Sequence, residues 1–376
     1  MKALASIALL SIFTFCACET ADNSTYLPDT GEVAVLDVWI PQEYYSSLLS
    51  NRWSNEKAPA RIFVGETSYS GTFEPQGAGS RYHARWSYKL QLDAGQQING
   101  MNTCNLSAQV FDRTMLRSKL ATMIFEGLGF PSFNTAHVFL RINGTDKGLL
   151  LQVERVEEEF FRKRGMMVYE LIKASFGARF SFSENMHLDK YFSLDIPESG
   201  NLNSLGEMIE ALDTAPPDRI PEVVGRHLDI TNYLRYHAAA SILNHIDGFA
   251  NNMLFYKPTP ISPYQIIPWD FDKLLAEDAD VGLTGDNDII RALLRNDSCV
   301  AIYKREAKNM LASVIVPGQL FPQLEVYQAA IAAAWALDPK LGLAGFSLQA
   351  ESAALRRHLI ERRDFFLRSI DTLTTR

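Results

Sequence analysis

Two short apolar strands separated by a proline-rich turn constrain this sequence more than any other feature. The strands are predicted over residues 253–257 and 265–268, with Pro258, Pro260 and Pro263 between them. Proline has no backbone N–H to donate to a β-ladder, so these positions favour a turn over a continuing strand. The sequence therefore predicts a β-hairpin, which brings the residues before its first strand next to those after its second.

Acidic and amide residues flank this hairpin on both sides. Asp247 and Asn252 precede its first strand, and Asp270 and Asp272 follow its second. Carboxylate and amide oxygens bind hard cations, and Mg²⁺ in proteins also keeps waters and substrate phosphates. The alternative is a polar turn in which the same side chains cap helices and accept backbone hydrogen bonds.

The spacing of these residues matches that of phosphoryl-transfer sites. In protein kinases a catalytic Asp is followed five residues later by a metal-binding Asn, and a second metal-binding Asp follows a short hairpin. Asp247 and Asn252 have this offset, and Asp270 lies at the far end of the hairpin. The offset, the hairpin and the following Asp together favour a metal-dependent site.

The N-terminal segment has the pattern of a secretory signal. A basic start is followed by an apolar run over residues 3–15 and then by Ala17-Cys18. Such a run is too short for a permanent membrane span. We predict a signal peptide over residues 1–17 and a flexible tether over residues 18–31, lipidated on Cys18 and anchored to a membrane. The alternative is an ordinary secreted protein cleaved nearby.

Composition excludes some partners. A hydrophobic fraction of 47% suits a packed globule, and a net charge of −8 argues against nucleic acid, which requires a basic face. Cys104 and Cys299 remain after the signal. The alternative is that they pair in an oxidising compartment, but two thiols do not make a disulfide framework, so we predict buried free cysteines.

The pattern of apolar residues changes along the chain. Strand signals in the first part lie over residues 33–40, 60–64, 67–75, 87–92, 133–142 and 148–153. Helix signals in the second part lie over residues 205–212, 230–244, 288–296, 300–312 and most of 320–376. Residues 156–164 are predicted as a charged, mostly solvated helix, and residues 175–203 as a loop-rich segment. We predict an α+β fold with a β-rich N-lobe (32–164) and a mostly helical C-lobe (165–376) that contains the hairpin region (244–272).

A glycine-rich turn precedes a lysine on a predicted strand. The turn covers residues 76–81 and ends in Ser80 and Arg81, and Lys89 lies on the following strand. Such a turn exposes N–H groups that can cradle an anion. Glycine also occurs in many hairpins for conformational reasons, and a strand lysine commonly points to solvent.

Several stretches in one order resemble the spore coat protein H (CotH) family of secreted, atypical protein kinases. They are Gly79-Ser80-Arg81 with Ser87-Tyr88-Lys89-Leu90; Asn105-Leu106-Ser107-Ala108 with Met115-Leu116-Arg117-Ser118-Lys119-Leu120-Ala121; Leu140-Arg141-Ile142-Asn143-Gly144 with Gly148-Leu149-Leu150-Leu151-Gln152-Val153-Glu154; Asn244-His245-Ile246-Asp247 with Asn252; and Ile267-Pro268-Trp269-Asp270-Phe271-Asp272. Their common order over roughly residues 35–275 is more specific than any one of them.

The resemblance implies an atypical protein-kinase-like fold of two lobes that binds ATP between them, with Mg²⁺ or Mn²⁺. It implies that Lys89 contacts the α- and β-phosphates and pairs with Glu154. Ser80 and Arg81, at the end of the glycine-rich turn, are expected to contact phosphate.

The resemblance also assigns roles around the hairpin. Asp247 is expected to act as the base or to orient the incoming hydroxyl. Asn252 and Asp270 are expected to hold the metal, with Asp272 as an additional ligand.

Three functions compete at this point. The first is a surface-anchored kinase that transfers the γ-phosphoryl of ATP to Ser or Thr of a secreted or surface protein, facing the periplasm or the exterior. The second is an inactive relative that binds a ligand or Ca²⁺ in cell-envelope assembly, because Asp- and Asn-rich turns also suit Ca²⁺. The third is a sugar hydrolase using two of Glu154, Asp247 and Asp270. An Asp–Asn pairing favours a metal over a proton shuttle, which argues against the third.

Overall fold

The computed structural model describes residues 33–77, 79–181, 187–276 and 280–375, so the predicted signal peptide and tether lie outside the described residues. The strands are β1 (Ala34–Trp39), β2 (Ala58–Val64), β3 (Thr67–Gln76), β4 (Ser87–Leu92), β5 (Thr103–Ser107), β6 (Thr135–Ile142), β7 (Thr145–Glu154), β8 (Glu170–Ala174), β9 (Phe192–Ile196), β10 (Met253–Lys257) and β11 (Gln265–Pro268). The α-helices are α1 (Gln42–Ser50), α2 (Arg117–Gly127), α3 (Glu158–Lys163), α4 (Asn203–Thr214), α5 (Ile220–Val223), α6 (Ile230–Ile242), α7 (Asp288–Leu293), α8 (Asp297–Ser313), α9 (Pro317–Leu337) and α10 (Leu348–Ser369).

The first seven strands form a closed barrel in the order β1-β2-β3-β4-β5-β7-β6. Parallel pairing of β1 with β6 closes the ring, which leaves no open sheet edge. Side chains alternate between the interior and exterior of the barrel, and its interior is filled by aliphatic and aromatic residues such as Leu36, Phe73, Leu90 and Leu106. The first lobe is therefore β-rich, as predicted.

Strand β7 joins the barrel to the rest of the molecule. Leu150 points into the barrel core, whereas Leu149, Leu151 and Val153 belong to a second, larger core. That larger core also contains much of α2 and the helices of the second lobe. Because β7 is apolar on both faces, burial of its outer face holds the two lobes together.

The second lobe is helical around a four-stranded sheet with the order β11-β10-β8-β9. The β10–β11 hairpin has the predicted bounds, and Met253 pairs with Pro268 in its register. The predicted α+β, two-lobed fold is confirmed. The buried free cysteines are confirmed as well. None of the described helices combines the length and the hydrophobicity needed to span a membrane.

The structure corrects one local prediction and refines another. Residues 192–196, in the stretch predicted as loop-rich, form β9, which pairs with β8. The helix α3 is mostly solvated at its charged residues, as predicted, but Phe160 and Phe161 are buried in the larger core. In both segments apolar residues within a polar stretch pack against this core.

The end of α9 is fastened to the barrel by a buried carboxylate. Asp338 is 0% exposed. Its Oδ2 accepts the backbone N–H of Leu149 at 2.7 Å and lies 3.2 Å from Nη2 of Arg85. At Gly148 a Cβ atom would lie 2.2 Å from that oxygen, and φ is +104°, so this position requires glycine.

We expect Asp338→Ala to destabilise the protein by about 3–5 kcal/mol, because it leaves the Arg85 guanidinium buried without its partner. Chemical denaturation would measure the change. Glu222→Ala is the control, since Glu222 pairs with Arg219 and Arg226 at the surface, where ion pairs contribute little. Equal unfolding midpoints for the two variants would show that Asp338 does not hold the lobes together.

Candidate active site

The hairpin brings Asp247, Asn252 and Asp270 together through hydrogen bonds. Asp247 lies in the short turn Ile246–Phe249, shortly after α6, and its carbonyl accepts the backbone N–H of Asn252 at 3.0 Å. The Asn252 Nδ2 donates to the backbone oxygen of Asp270 at 3.2 Å. Asp270 has φ +57°, so the chain turns sharply where β11 has ended. The predicted convergence of these residues is therefore present.

The surrounding protein disfavours the ionised form of the Asp270 and Asp272 carboxyl groups. Desolvation raises the pKa of Asp270, and the charge of Asp247 raises it further. Desolvation raises the pKa of Asp272 well above its usual range, and Asp270, Asp112 and Asp247 add to this effect. Asp270 as a whole residue is nevertheless exposed to solvent. The site holds excess negative charge without enough compensating cations.

Two lysines that sequence reasoning missed partly offset this charge. Lys173 on β8 lowers the pKa of Asp270, and Lys273 acts on both Asp270 and Asp272. The ammonium of Lys273 lies 2.9 Å from Oδ2 of Asp247. Lys273 directly follows Asp272 in the sequence, and that adjacency was the available signal.

The N-terminus of α2 also borders the site. Asp112 is fully buried, and its Oδ2 accepts the backbone N–H of Arg117 at 2.8 Å. Arg117 lies 3.5 Å from the backbone oxygen of Asp272 through Nη1. The first lobe therefore contributes both a carboxylate and a guanidinium beside the hairpin of the second.

His245 precedes Asp247 but is not suited to accept a proton from substrate. It is 0% exposed, and burial lowers its pKa to about 4 against the opposing charge of Asp247. Its ring packs 5.5 Å from that of Phe271, between centroids. We assign it to the packing beneath the turn.

The expected pairing of Lys89 with Glu154 is wrong in this structure. Lys89 on β4 pairs with Asn105 on β5, and Asn105 pairs with Val153 on β7. Glu154 is the next residue along β7, so its side chain lies on the opposite face of the barrel wall from that of Lys89. Lys89 instead faces Glu74 on β3, with an Nζ–Oε1 distance of 3.8 Å.

Glu154 has different partners. It is 3% exposed and pairs with Arg164 at 2.6 Å, and its Oε2 also accepts the backbone N–H of Asn134 at 2.9 Å. These contacts tie the end of β7 to the residues after α3. The geometry gives Glu154 a structural role and places Glu74, not Glu154, beside Lys89.

The expected phosphate contacts of Ser80 and Arg81 are not supported by the geometry. Both residues are buried. The Arg81 guanidinium donates to the oxygen of Pro75 at 2.6 Å and to Oδ1 of Asn55 at 2.9 Å, and Ser80 Oγ donates to the oxygen of Gln76 at 3.1 Å. Arg81 therefore fastens the turn to the α1–β2 connection. Ala78 lies outside the described residues.

A divalent cation fits this donor set. Within the described ranges no three His, Cys, Asp or Glu side chains converge closely enough to hold a metal by themselves. Mg²⁺ commonly takes one or two protein carboxylates and completes its shell with water and phosphate oxygens. The Asn252 Nδ2 donates to the backbone oxygen of Asp270. Its Oδ1 accepts from Nδ2 of Asn251 at 3.3 Å and is the amide atom with the lone pairs for a cation.

A cavity of about 790 Å³ lies away from these residues. Its lining comes from the β4–β5 connection, α3 and the chain that follows it, including Gln96, Glu158 and Met166. None of the predicted site residues lines it, so chemistry rather than volume identifies the candidate site.

A two-lobed fold with this carboxylate and amide cluster beside the hairpin defines a kinase-like protein. The family model described as CotH kinase protein matches residues 73–366. Since this is more than half of the 376 residues, the chain belongs to the CotH kinase family.

Individual relatives agree with this assignment. The inner spore coat protein H of Bacillus subtilis (strain 168) is 24% identical over 302 residues, which cover 76% of this chain and 83% of that protein. Its inner spore coat protein H-like protein is 21% identical over 286 residues, covering 74% and 83%.

Two solved kinase structures align with most of the chain. The Golgi casein kinase aligns at a TM-score of 0.35 and 11% identity, covering 91% of this chain and 74% of its own. The Helicobacter pylori proinflammatory kinase CtkA aligns at 0.31 and 13%, covering 86% and 95%. At these TM-scores the family assignment rests on the family match.

We expect Asp272→Asn to raise the melting temperature of the metal-free protein at pH 7 by at least about 2 °C. The raised pKa of Asp272 means that the folded state holds its proton more tightly than the unfolded chain does. Stability is therefore lost as the pH rises from the usual Asp range through the folded pKa, and the variant avoids that loss. Thermal scans in chelator from pH 4 to 7 would measure it.

The gain should disappear toward pH 4, where wild-type Asp272 is protonated, and Mg²⁺ should reduce it at pH 7. Asp218→Asn, at an exposed aspartate outside the cluster, is the control. A gain that does not change with pH would contradict charge repulsion as its cause.

Proposed function

We propose that this protein transfers the γ-phosphoryl group of ATP to a Ser or Thr hydroxyl of an extracytoplasmic protein. The observation that carries the proposal is the hydrogen-bonded cluster of Asp247, Asn252 and Asp270 at the hairpin. Membership of the CotH kinase family supports it.

Each residue of the cluster has one role in this reaction. Asp247 orients the acceptor hydroxyl and takes its proton as the new oxygen–phosphorus bond forms and the bond between the γ-phosphorus and the bridging oxygen breaks, so that ADP leaves. Asn252 and Asp270, with Asp272 beside them, would hold Mg²⁺ or Mn²⁺, which neutralises charge on the phosphates. Lys89 contacts the α- and β-phosphates, and Glu74 positions it.

We also propose that the protein acts outside the cytoplasm, anchored by a lipid on Cys18. The signal pattern of residues 1–17 and the Ala17-Cys18 pair support this placement. The net charge of −8 supports a protein substrate over nucleic acid.

A second function is a nucleotide- or cation-binding module without transfer. The observation that favours it is the Lys273–Asp247 ion pair, which occupies the carboxylate that an acceptor hydroxyl would need. Stabilisation of the protein by ATP and metal without transfer of phosphate would support this function.

We expect Asp247→Asn and Asp270→Asn each to lower phosphoryl transfer by about 10²-fold or more, because the first removes the base and the second a metal ligand. The assay is incorporation of label from γ-labelled ATP, with Mg²⁺ or Mn²⁺, into the protein itself and into an added Ser/Thr-rich protein. Asp218→Asn is the matched control. Unchanged incorporation in both site variants would reject the proposed function.

We expect Glu74→Gln to raise the KM for ATP about ten-fold, because Lys89 loses the charge that positions it. Glu154→Gln should leave this KM unchanged and destabilise the fold by about 3 kcal/mol, because Arg164 loses its buried partner. Steady-state kinetics and denaturation would separate the two effects. The opposite pattern would restore the Lys89–Glu154 pair as the functional one.

A further inference from the structure

Lys273 occupies a position between the two lobes that the proposed roles do not use. Its ammonium lies 2.9 Å from Oδ2 of Asp247 in the second lobe. The same ammonium lies 4.5 Å from the ring centroid of Phe111. Phe111 belongs to the connection between β5 and α2 in the first lobe, so one side chain touches the catalytic carboxylate and the opposite lobe.

The ion pair contributes little to stability. The side chains of Lys273 and Asp247 are 35% and 26% exposed, and pairs that solvent reaches are weakened by screening. The contact places the positive charge of Lys273 at Asp247, the carboxylate proposed to bind the acceptor hydroxyl. Phe111 supports that charge through its ring face.

We propose, building on the kinase function above, that Lys273 binds the γ-phosphoryl group of ATP and makes the protein favour ATP over ADP. A hydroxyl bound to Asp247 must lie about 3–3.5 Å from the γ-phosphorus for transfer. An ammonium already in contact with Asp247 is therefore within side-chain reach of the γ-phosphoryl oxygens. Lysine has three donors on a flexible stem, so it can contact Asp247 and a phosphoryl oxygen together.

Two other lysines discussed above are placed for different atoms, and the guanidinium of Arg117 lies at the backbone oxygen of Asp272. Lys89 stands on the barrel wall beside Glu74, in the first lobe. Lys173 lies on β8 and acts on Asp270, the proposed metal ligand. Lys273 alone among these three lysines is hydrogen-bonded to the carboxylate proposed to receive the acceptor proton, which places it at the group in transfer.

Nucleotide binding tests this role without relying on activity. Calorimetric titrations with Mg²⁺ would compare ADP with the β,γ-imido analogue of ATP, for the wild type and for Lys273→Met. We expect the variant to bind the analogue about ten-fold more weakly and ADP unchanged, because only the analogue carries the γ-phosphoryl group. Lys273→Arg should keep part of the preference, since it keeps the charge.

The control is Lys308→Met, which removes another Lys–Asp pair, with Asp371, at the surface between α8 and the C-terminal turn. It should leave both affinities unchanged. A measurement on the wild type alone is labelling of Lys273 by an amine-reactive reagent, read by mass spectrometry. The analogue should protect Lys273, and ADP should not.

The outcomes separate this inference from the function on which it rests. The role of Lys273 would be overturned if Lys273→Met weakened binding of ADP and the ATP analogue equally, or left the preference for the analogue unchanged, and if both nucleotides protected Lys273 from labelling equally. The kinase function would still stand. A wild type that binds neither nucleotide would reject the kinase function, and this inference with it.

Discussion

The antiparallel pairing of Met253 with Pro268 determines where the proposed catalytic groups lie. Asn252 comes directly before this pair, and Trp269 and Asp270 follow it, so the pairing brings the Asn252 amide to the backbone of Asp270. Both strands are largely buried, and a slip of one residue would move each side chain to the other face of the sheet and disrupt its packing. Burial of two short strands thereby sets the geometry of a polar site at their end.

The cluster so formed is electrostatically unfavourable by itself. Three carboxylates of the second lobe and Asp112 of the first act on one another, and two lysines offset them only in part. Such a site costs stability until a cation binds, which is the common relation between function and stability in active sites. The same imbalance explains why Lys273 rests on Asp247.

The two lobes pack together through strand β7 and through the C-terminal helix α9. Side chains on both faces of strand β7 are packed in a core. Asp338, at the end of α9, accepts the backbone N–H of Leu149 on β7 and pairs with Arg85. Trp335 on α9 also donates its Nε1–H to the oxygen of Arg113 at 2.8 Å. The C-terminal helices, to which the sequence assigned no role, therefore set the position of the barrel that carries Lys89 relative to the hairpin that carries Asp247.

The sequence by itself determined the β10–β11 hairpin, the convergence of Asp247, Asn252 and Asp270, and the division into a β-rich and a helical lobe. These follow from turn chemistry and apolar patterning within short stretches of chain. The partners of Lys89 and Arg81, the inward packing of α3 and the contact of Asp338 with Leu149 were decided only by the tertiary structure. The reason is physical: whether Lys89 meets Glu74 or Glu154 depends on the register of strands distant in sequence, and one position of register reverses the face on which a side chain lies.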